Sequence, residues 1–442
     1  MSASTQVSLD DTSPRASMSR REEQVAALTG LRGFAALMVV LVHSTVRTQY
    51  PWLGLPSYGP VALFVLSGFL LYRPWARWTL RLGSSPDVFV YSRRRLSRIF
   101  PAYLVMLFIV ALVYPPARPV GADGWFYSVT LTWIYVRGHF PDVLAHTWSL
   151  ATEVSWYVAL PMMAGVSGLI ARRFAARTAL RITTGLIALS LPVTIGWEYW
   201  IYANHLAIYF TYSFWLPAFL VCFAGGALVA LYMEAYAAGI TSLPRLRRLT
   251  ADRWAVPLFV VGIALLGTSV LGGSDGYVPH TFGEDQVRFA SVTTIALSLL
   301  TAVVFGPANA PVARLMSSTV LATAGRWSYG IYLWHLPVIV ILDQRLTYPD
   351  GAVANLVMRL VWVLGISVPL AAATYAWVEK PAIDWSRRPM AFRAADSRHR
   401  SLPGRRNAEN TDATPSTESN TATTAQPTDA ANTVRERSLP DE

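Results

Sequence analysis

Apolar residues gather in long blocks separated by short basic or polar stretches. The blocks fall at about 28–46, 59–72, 99–115, 147–170, 182–202, 209–233, 254–271, 289–306, 327–342 and 353–378. A helix needs about 20 apolar residues to cross the hydrocarbon of a bilayer. Most blocks meet that length, and the one at 59–72 depends on its flanks. The pattern predicts an all-α polytopic membrane protein with about ten transmembrane helices. One segment, Gly124 to Val136, is apolar and aromatic but too short to cross; it reads as re-entrant or interfacial, where Trp and Tyr suit the headgroup region.

The arginines test this count, because cytoplasmic connections of membrane proteins carry the excess of basic residues. The stretch 73–98 holds Arg73, Arg77, Arg81, Arg93, Arg94, Arg95 and Arg98 against Asp87, and 171–181 holds Arg172, Arg173, Arg177 and Arg181 with no acid. The stretch 234–253, with Arg245, Arg247, Arg248 and Arg253, and the stretch 307–326 fall on the same side. The stretch 272–288, with Asp275, Glu284 and Asp285, falls opposite. Ten crossings with both termini in the cytoplasm satisfy all of these; counting 124–136 as a span would expel the arginines of 171–181.

Composition agrees. Of 442 residues 53% are hydrophobic and 14% charged, against about 25% charged in soluble domains, and the mean hydropathy is +0.36. The net charge of +11 could suggest nucleic acid, but arginines confined to short connections are what topology selection produces, so the expected partner is the lipid bilayer. A single cysteine, Cys222, leaves no disulfide partner and too few thiols for a cysteine metal site. No metal is expected. Residues 1–27 are polar and show no secretory signal pattern. Residues 391–442 are rich in Ser, Thr, Asn, Pro and charge, a composition expected to form a disordered cytoplasmic tail. The membrane domain is therefore placed at 28–385.

Ionisable side chains inside spans are costly, and each marks a candidate site. Arg32 opens the first apolar block and His43 lies eleven residues on, about three helical turns and about 16 Å along one face. His146 and Glu153, seven apart at the start of the fourth block, are two turns apart on one face at a depth expected to match His43. A neutral imidazole beside a carboxylate can act as general base. The cluster Arg93, Arg94, Arg95 and Arg98 reads either as topology signal with anionic-lipid binding or as a phosphate site, since guanidinium forks match phosphate oxygens. No Walker loop or dinucleotide fingerprint accompanies it, which favours a donor such as coenzyme A. Ser67-Gly68 reads most simply as small residues for close packing; a nucleophilic Ser67 would need a base beside it. His335 reads as a packing or substrate-lining residue, and Glu379 as structural.

In order along the chain, LTGLRGFAALMVVLVH, GPVALFVLSGFLL, RRLSRIFPAY, HTWSLATEVSWY, WSYGIYLWHLP and VEKP resemble the acyltransferase family 3 of integral membrane proteins, over most of residues 28–385. The resemblance implies a ten-helix fold and no bound cofactor, with cytosolic acyl-CoA as co-substrate. It implies transfer of an acyl group, acetyl or another short chain, to a hydroxyl of a glycan, glycolipid or antibiotic acceptor at the cell membrane. It assigns Arg32 and His43 to the first helix of that family, Arg94, Arg95 and Arg98 to its basic stretch, and Glu153 to its HTWSLAxE stretch. The expected catalytic set is His43, Glu153 and His146. The expected substrate-binding set is Arg32, Arg94, Arg95, Arg98, Tyr103, Trp148 and His335. Two chemistries stay open at this point: His43 as base toward the acceptor, or His43 as acyl carrier. A transporter or flippase using the same buried charges as a proton relay is the alternative.

Overall fold

The computed structural model describes residues 14–45, 58–137, 141–273 and 281–388, leaving out the side chains of 14–21 and 207–210; the expected tail lies outside these residues. In chain order the α-helices are α1 (Pro14–Thr45), α2 (Tyr58–Thr79), α3 (Val88–Val113), α4 (Gly121–Thr130), α5 (Trp148–Ala171), α6 (Ala176–Ala188), α7 (Ser190–Ala203) and α8 (Leu216–Ala237). Then follow α9 (Pro244–Ala251), α10 (Ala255–Gly267), α11 (Phe282–Phe305), α12 (Pro311–Met316), α13 (Thr319–Arg326), α14 (Ser328–Asp343), α15 (Ala352–Thr374) and α16 (Lys380–Arg387). The described residues contain no strand. Among them, seven helical segments are long and apolar enough to cross a membrane, and an eighth arises if α9 and α10, bent by 84°, form one broken span. The two remaining apolar blocks are helical as well: α2, with 22 residues, and α14, with 16.

Several boundaries differ from the sequence expectation. The first helix starts at Pro14 and its apolar span at Glu22, because the polar residues before Leu28 continue the helical turn. Gln24 already belongs to the bundle, donating to Val304 O at 3.3 Å. The basic stretch 73–98 is mostly helix: α2 runs to Thr79, and α3 begins beyond Asp87, whose side chain caps the Val90 N–H at 3.0 Å. Residues 124–136 form no span. The ten-residue α4, about 15 Å long, ends at Leu131, which has the left-handed φ of 57°. Trp133 beyond it is buried and donates to Thr147 Oγ1 at 3.3 Å.

The basic connections meet on one face. Arg81 donates to the Arg172 carbonyl, Arg177 to Ile240 O at 3.3 Å, and Arg93 to Ser386 O and Arg388 O at 2.6 and 2.8 Å. The end of α2 is thus tied to the end of α5, the start of α6 to the end of α8, and the start of α3 to α16. On this face Glu234 of α8 is buried and pairs with Arg73 at 3.0 Å and Arg77 at 3.1 Å. No sequence spacing announces this pair, which joins helices 161 residues apart.

Glycines set the closest approaches. A Cβ on Gly68 would lie 2.0 Å from Phe223 O and one on Gly226 1.9 Å from Val65 O, so α2 and α8 touch backbone to backbone. In α1, Gly30 and Gly33 meet Met316 O and Leu321 O at 1.6 and 2.3 Å by the same measure. Small residues are the usual means of helix contact in membranes, where no solvent drives helices together. We expect Gly226→Leu to separate α2 from α8 and lower the melting temperature in detergent by 10 °C or more. Gly262→Ala, which meets nothing within 4 Å, should leave it unchanged or raise it slightly. Thermal melting monitored by size-exclusion chromatography checks both.

Candidate active site

Helices α1, α2, α3, α5 and α14 enclose a cavity of about 80 Å³, lined among others by Arg32, Ser67, Arg95, Arg98, Glu153 and Tyr332. Arg32 does not open the first span. It lies ten residues inside the segment that begins at Glu22, about 15 Å along the helix and so near the middle of that 24-residue segment. Because Gly30 and Gly33 occupy the face against α12 and α13, Arg32 is turned to the cavity, where Nη2 donates to Ser328 Oγ at 3.0 Å. Arg98, Glu153 and Glu379 are the charges that act on it.

Of the arginines at the start of α3, two reach the cavity. Arg95 and Arg98 are three residues apart, one helical turn on one face, and both line it. Arg94 sits about 100° around the helix and is exposed, outside the cavity lining. Tyr103 and Trp148 are also elsewhere. Tyr103 is buried and donates to Ser128 O at 2.5 Å, tying α4 to α3. Trp148 stacks on Phe214 and Phe219 with ring centroids at 4.8 and 5.1 Å, behind the cavity wall.

The spacing leads to the expectation that Glu153 or His146 orients His43, and the hydrogen bonds of these two run to other groups. His146 belongs to the 3-10 segment Asp142–Thr147, in which Leu144 departs from helical geometry, and α5 begins only at Trp148. His146 thus precedes α5 while Glu153 lies within it, and the two side chains go to different neighbours. His146 turns to α14, its Nε2–H donating to Leu333 O at 3.1 Å. Glu153 Oε1 accepts hydroxyl hydrogen bonds from Ser67 and, at 3.0 Å, from Tyr157.

The partner of His43 is His335, which the sequence reading placed only as a lining residue. His43 Nδ1 lies 3.3 Å from His335 Nε2, with ring centroids 5.0 Å apart. His335 in turn stands 5.1 Å from the ring of His146. The hydrogen bonds assign tautomers. His335 Nδ1 is 2.7 Å from Tyr332 O and must carry the proton, because a carbonyl only accepts. In the neutral ring this leaves His335 Nε2 to accept from His43 Nδ1–H, which also reaches Val39 O at 2.9 Å. His43 Nε2 is then the basic nitrogen. His335 and His146 are buried, whereas His43 is half-buried, so it is the member of the trio within reach of a substrate. Among the described residues no three His, Cys, Asp or Glu side chains converge with metal-binding geometry.

Tyr332 joins the two ends of the site. It lines the cavity, its hydroxyl donates to the His146 carbonyl and pairs with Ser149 Oγ at 2.7 Å, and its ring lies 5.7 Å from that of His335. Sequence spacing offered two of the residues the reading passed over. Tyr157 stands four residues after Glu153 and Tyr332 three before His335, both one turn away. Ser67 and Ser328, brought in from other helices, gave no such signal.

The sequence profile of an acyltransferase domain matches residues 25–377. The O-acetyltransferase OatA of Staphylococcus aureus is 25% identical over 375 residues, covering 80% of this chain and 56% of that protein. YrhL of Bacillus subtilis, named provisionally as a peptidoglycan O-acetyltransferase, is 27% identical over 379 residues, covering 81% and 54%. The chain thus spans a little over half the length of these relatives. No solved structure matches it.

Tyr103→Phe should remove the tie from α3 to Ser128 O, which keeps the Leu131 N–H at 3.2 Å, at a cost of about 0.5–1.5 kcal/mol for one hydrogen bond. A lower melting temperature with an intact cavity is the expected outcome, and an unchanged melting temperature would contradict this reading of Tyr103.

Proposed function

Starting from the fact that the chain belongs to the acyltransferase 3 family, we propose that it moves an acetyl group from cytosolic acyl-CoA to a hydroxyl of a cell-envelope glycan. The observation that carries this reading is the convergence of Arg32, Arg95 and Arg98 in one cavity whose wall, through Tyr332, touches a histidine trio. Three guanidiniums within a helix bundle call for an anionic ligand, and the diphosphate of coenzyme A supplies one. A cavity of about 80 Å³ holds a few water molecules' worth of space. A short acyl group fits that space best. The names of the relatives point the same way: OatA is an O-acetyltransferase, and the name of YrhL specifies peptidoglycan.

In this reading Arg95 and Arg98 hold donor phosphate at the basic face, taken as the cytoplasmic side of the plasma membrane because cytoplasmic connections carry the excess of arginine. Arg32, lining the same cavity, can stabilise negative charge developing on the thioester carbonyl oxygen. His43 Nε2 takes the proton of the acceptor hydroxyl. His335 accepts from His43 Nδ1–H and so holds the ring in the tautomer that leaves Nε2 basic. The oxygen of the acceptor ends bonded to the acyl carbon, and the carbon–sulfur bond is broken.

Acetyl transfer from labelled acetyl-CoA to soluble peptidoglycan strands, with purified protein in nanodiscs, tests the reading. Arg95→Gln and Arg98→Gln should each raise KM for acetyl-CoA tenfold or more with a smaller change in kcat, the signature of binding made equally in ground and transition states. Arg94→Gln should change neither by more than twofold. His43→Ala should lower kcat by 10²-fold or more. Activity of His43→Ala near that of the unaltered protein would overturn the role of His43, and no acetyl-CoA consumption by the unaltered protein would overturn the donor.

A further inference from the structure

Serines inside apolar helices ordinarily return their proton to the carbonyl one turn back. Ser155, Ser291 and Ser298 do so here, donating to Ala151, Val287 and Thr294 at 2.8, 2.7 and 2.7 Å. Ser67 does not. Its hydroxyl crosses from α2 to α5 and donates to the carboxylate of Glu153, inside the cavity that Arg32, Arg95 and Arg98 line. The same Oε1 is held by Tyr157 at 3.0 Å from the next turn of α5. The backbone under Ser67 is fixed, since Gly68 beside it abuts the backbone of Phe223. A hydroxyl in reach of a base that a third residue orients is the general arrangement of an activated nucleophile.

We propose that Ser67 is a catalytic residue that carries the acyl group as an ester between donor and acceptor. The proposal rests on the acyl-CoA donor of the preceding reading and adds a covalent step to it. In the first half, Ser67 Oγ bonds to the thioester carbonyl carbon while Glu153 takes the hydroxyl proton. The carbon–sulfur bond breaks, and the thiolate leaves to take a proton from water. Arg32, lining the same cavity, faces the charge that develops on the carbonyl oxygen. In the second half, His43 takes the proton of the acceptor hydroxyl and later releases it to water. The acceptor oxygen bonds to the acyl carbon, the bond to Ser67 Oγ breaks, and Glu153 returns the proton it held. The arrangement gives two bases two tasks: Glu153 serves the donor half and His43 the acceptor half.

The test uses the full chain in nanodiscs with acetyl-CoA labelled in the acetyl carbonyl and no acceptor. The protein should become labelled on the peptide that contains Ser67, as an ester stable at neutral pH and released by alkaline hydroxylamine. The label should leave when soluble peptidoglycan strands are added. Ser67→Ala should carry no label and should transfer 10²-fold more slowly or worse. Ser67→Cys guards against misfolding: it should fold, and should hold its label as a thioester released by neutral hydroxylamine. His43→Ala should keep its label after acceptor is added, because its first half is intact, which a purely structural Ser67 would not produce. Transfer by Ser67→Ala within threefold of the unaltered protein, or label on a different residue, would overturn the proposal while leaving the donor in place. An unaltered protein that consumes no acetyl-CoA would overturn both.

Discussion

A guanidinium in the middle of a membrane span is the constraint from which the rest of this structure follows. Placing an arginine at the centre of an inserted helix costs about 2.5–3.5 kcal/mol on insertion scales, and a lone one would turn toward water or lipid headgroups. Arg32 is kept inside by what surrounds it: the Ser328 hydroxyl at 3.0 Å, the carboxylates of Glu153 and Glu379 in its field, and a glycine face that locks α1 against α12 and α13. Those neighbours come from four other helices and from the π-helical turn Tyr375–Glu379. Such turns are rare and are found most often at functional sites. Here it brings Glu379 to a buried position. The bundle is thus organised around a charge that only a site for an anion makes useful.

The same arrangement suits the proposed division of the chemistry between the two ends of the bundle. Arg95 and Arg98 sit within the first three turns of α3, on the face where the basic connections gather. His43 lies near the far end of α1. Between them Tyr332 forms cavity wall on one side and histidine contact on the other. A donor too charged to cross the bilayer and an acceptor on the opposite side can then be served by one site, provided that only the small acyl group has to pass between the two ends.

Much of this was legible in the sequence because period and length are one-dimensional properties. Each of the ten apolar blocks is helical, and the arginine asymmetry anticipated which connections share a face. What was lost depends on three-dimensional neighbours. Helical spacing put His146 and Glu153 on one face, but His146 sits in a 3-10 segment ahead of α5 and bonds to α14 while Glu153 bonds to Ser67 of α2, and nothing in the spelling of HTWSLATE marks those partners. The run Arg93 to Arg98 looks uniform as text, yet a 100° step separates exposed Arg94 from Arg95 in the cavity. His335 and Ser67 stand 292 and 86 residues from their partners, and no local pattern records such pairings. Glu379 looked like a cheap charge at a helix end because its burial depends on helices far away in the chain.

The central claim, that one bundle joins a donor on its arginine face to an acceptor on its histidine face, is best tested in sealed inside-out vesicles. Labelled acetyl-CoA is supplied outside, facing the arginines, and peptidoglycan strands are trapped in the lumen. The account predicts labelled acetyl ester on the lumenal glycan, and none when donor and glycan exchange compartments. Equal labelling in both arrangements, or labelling only when acetyl-CoA is inside, would contradict it.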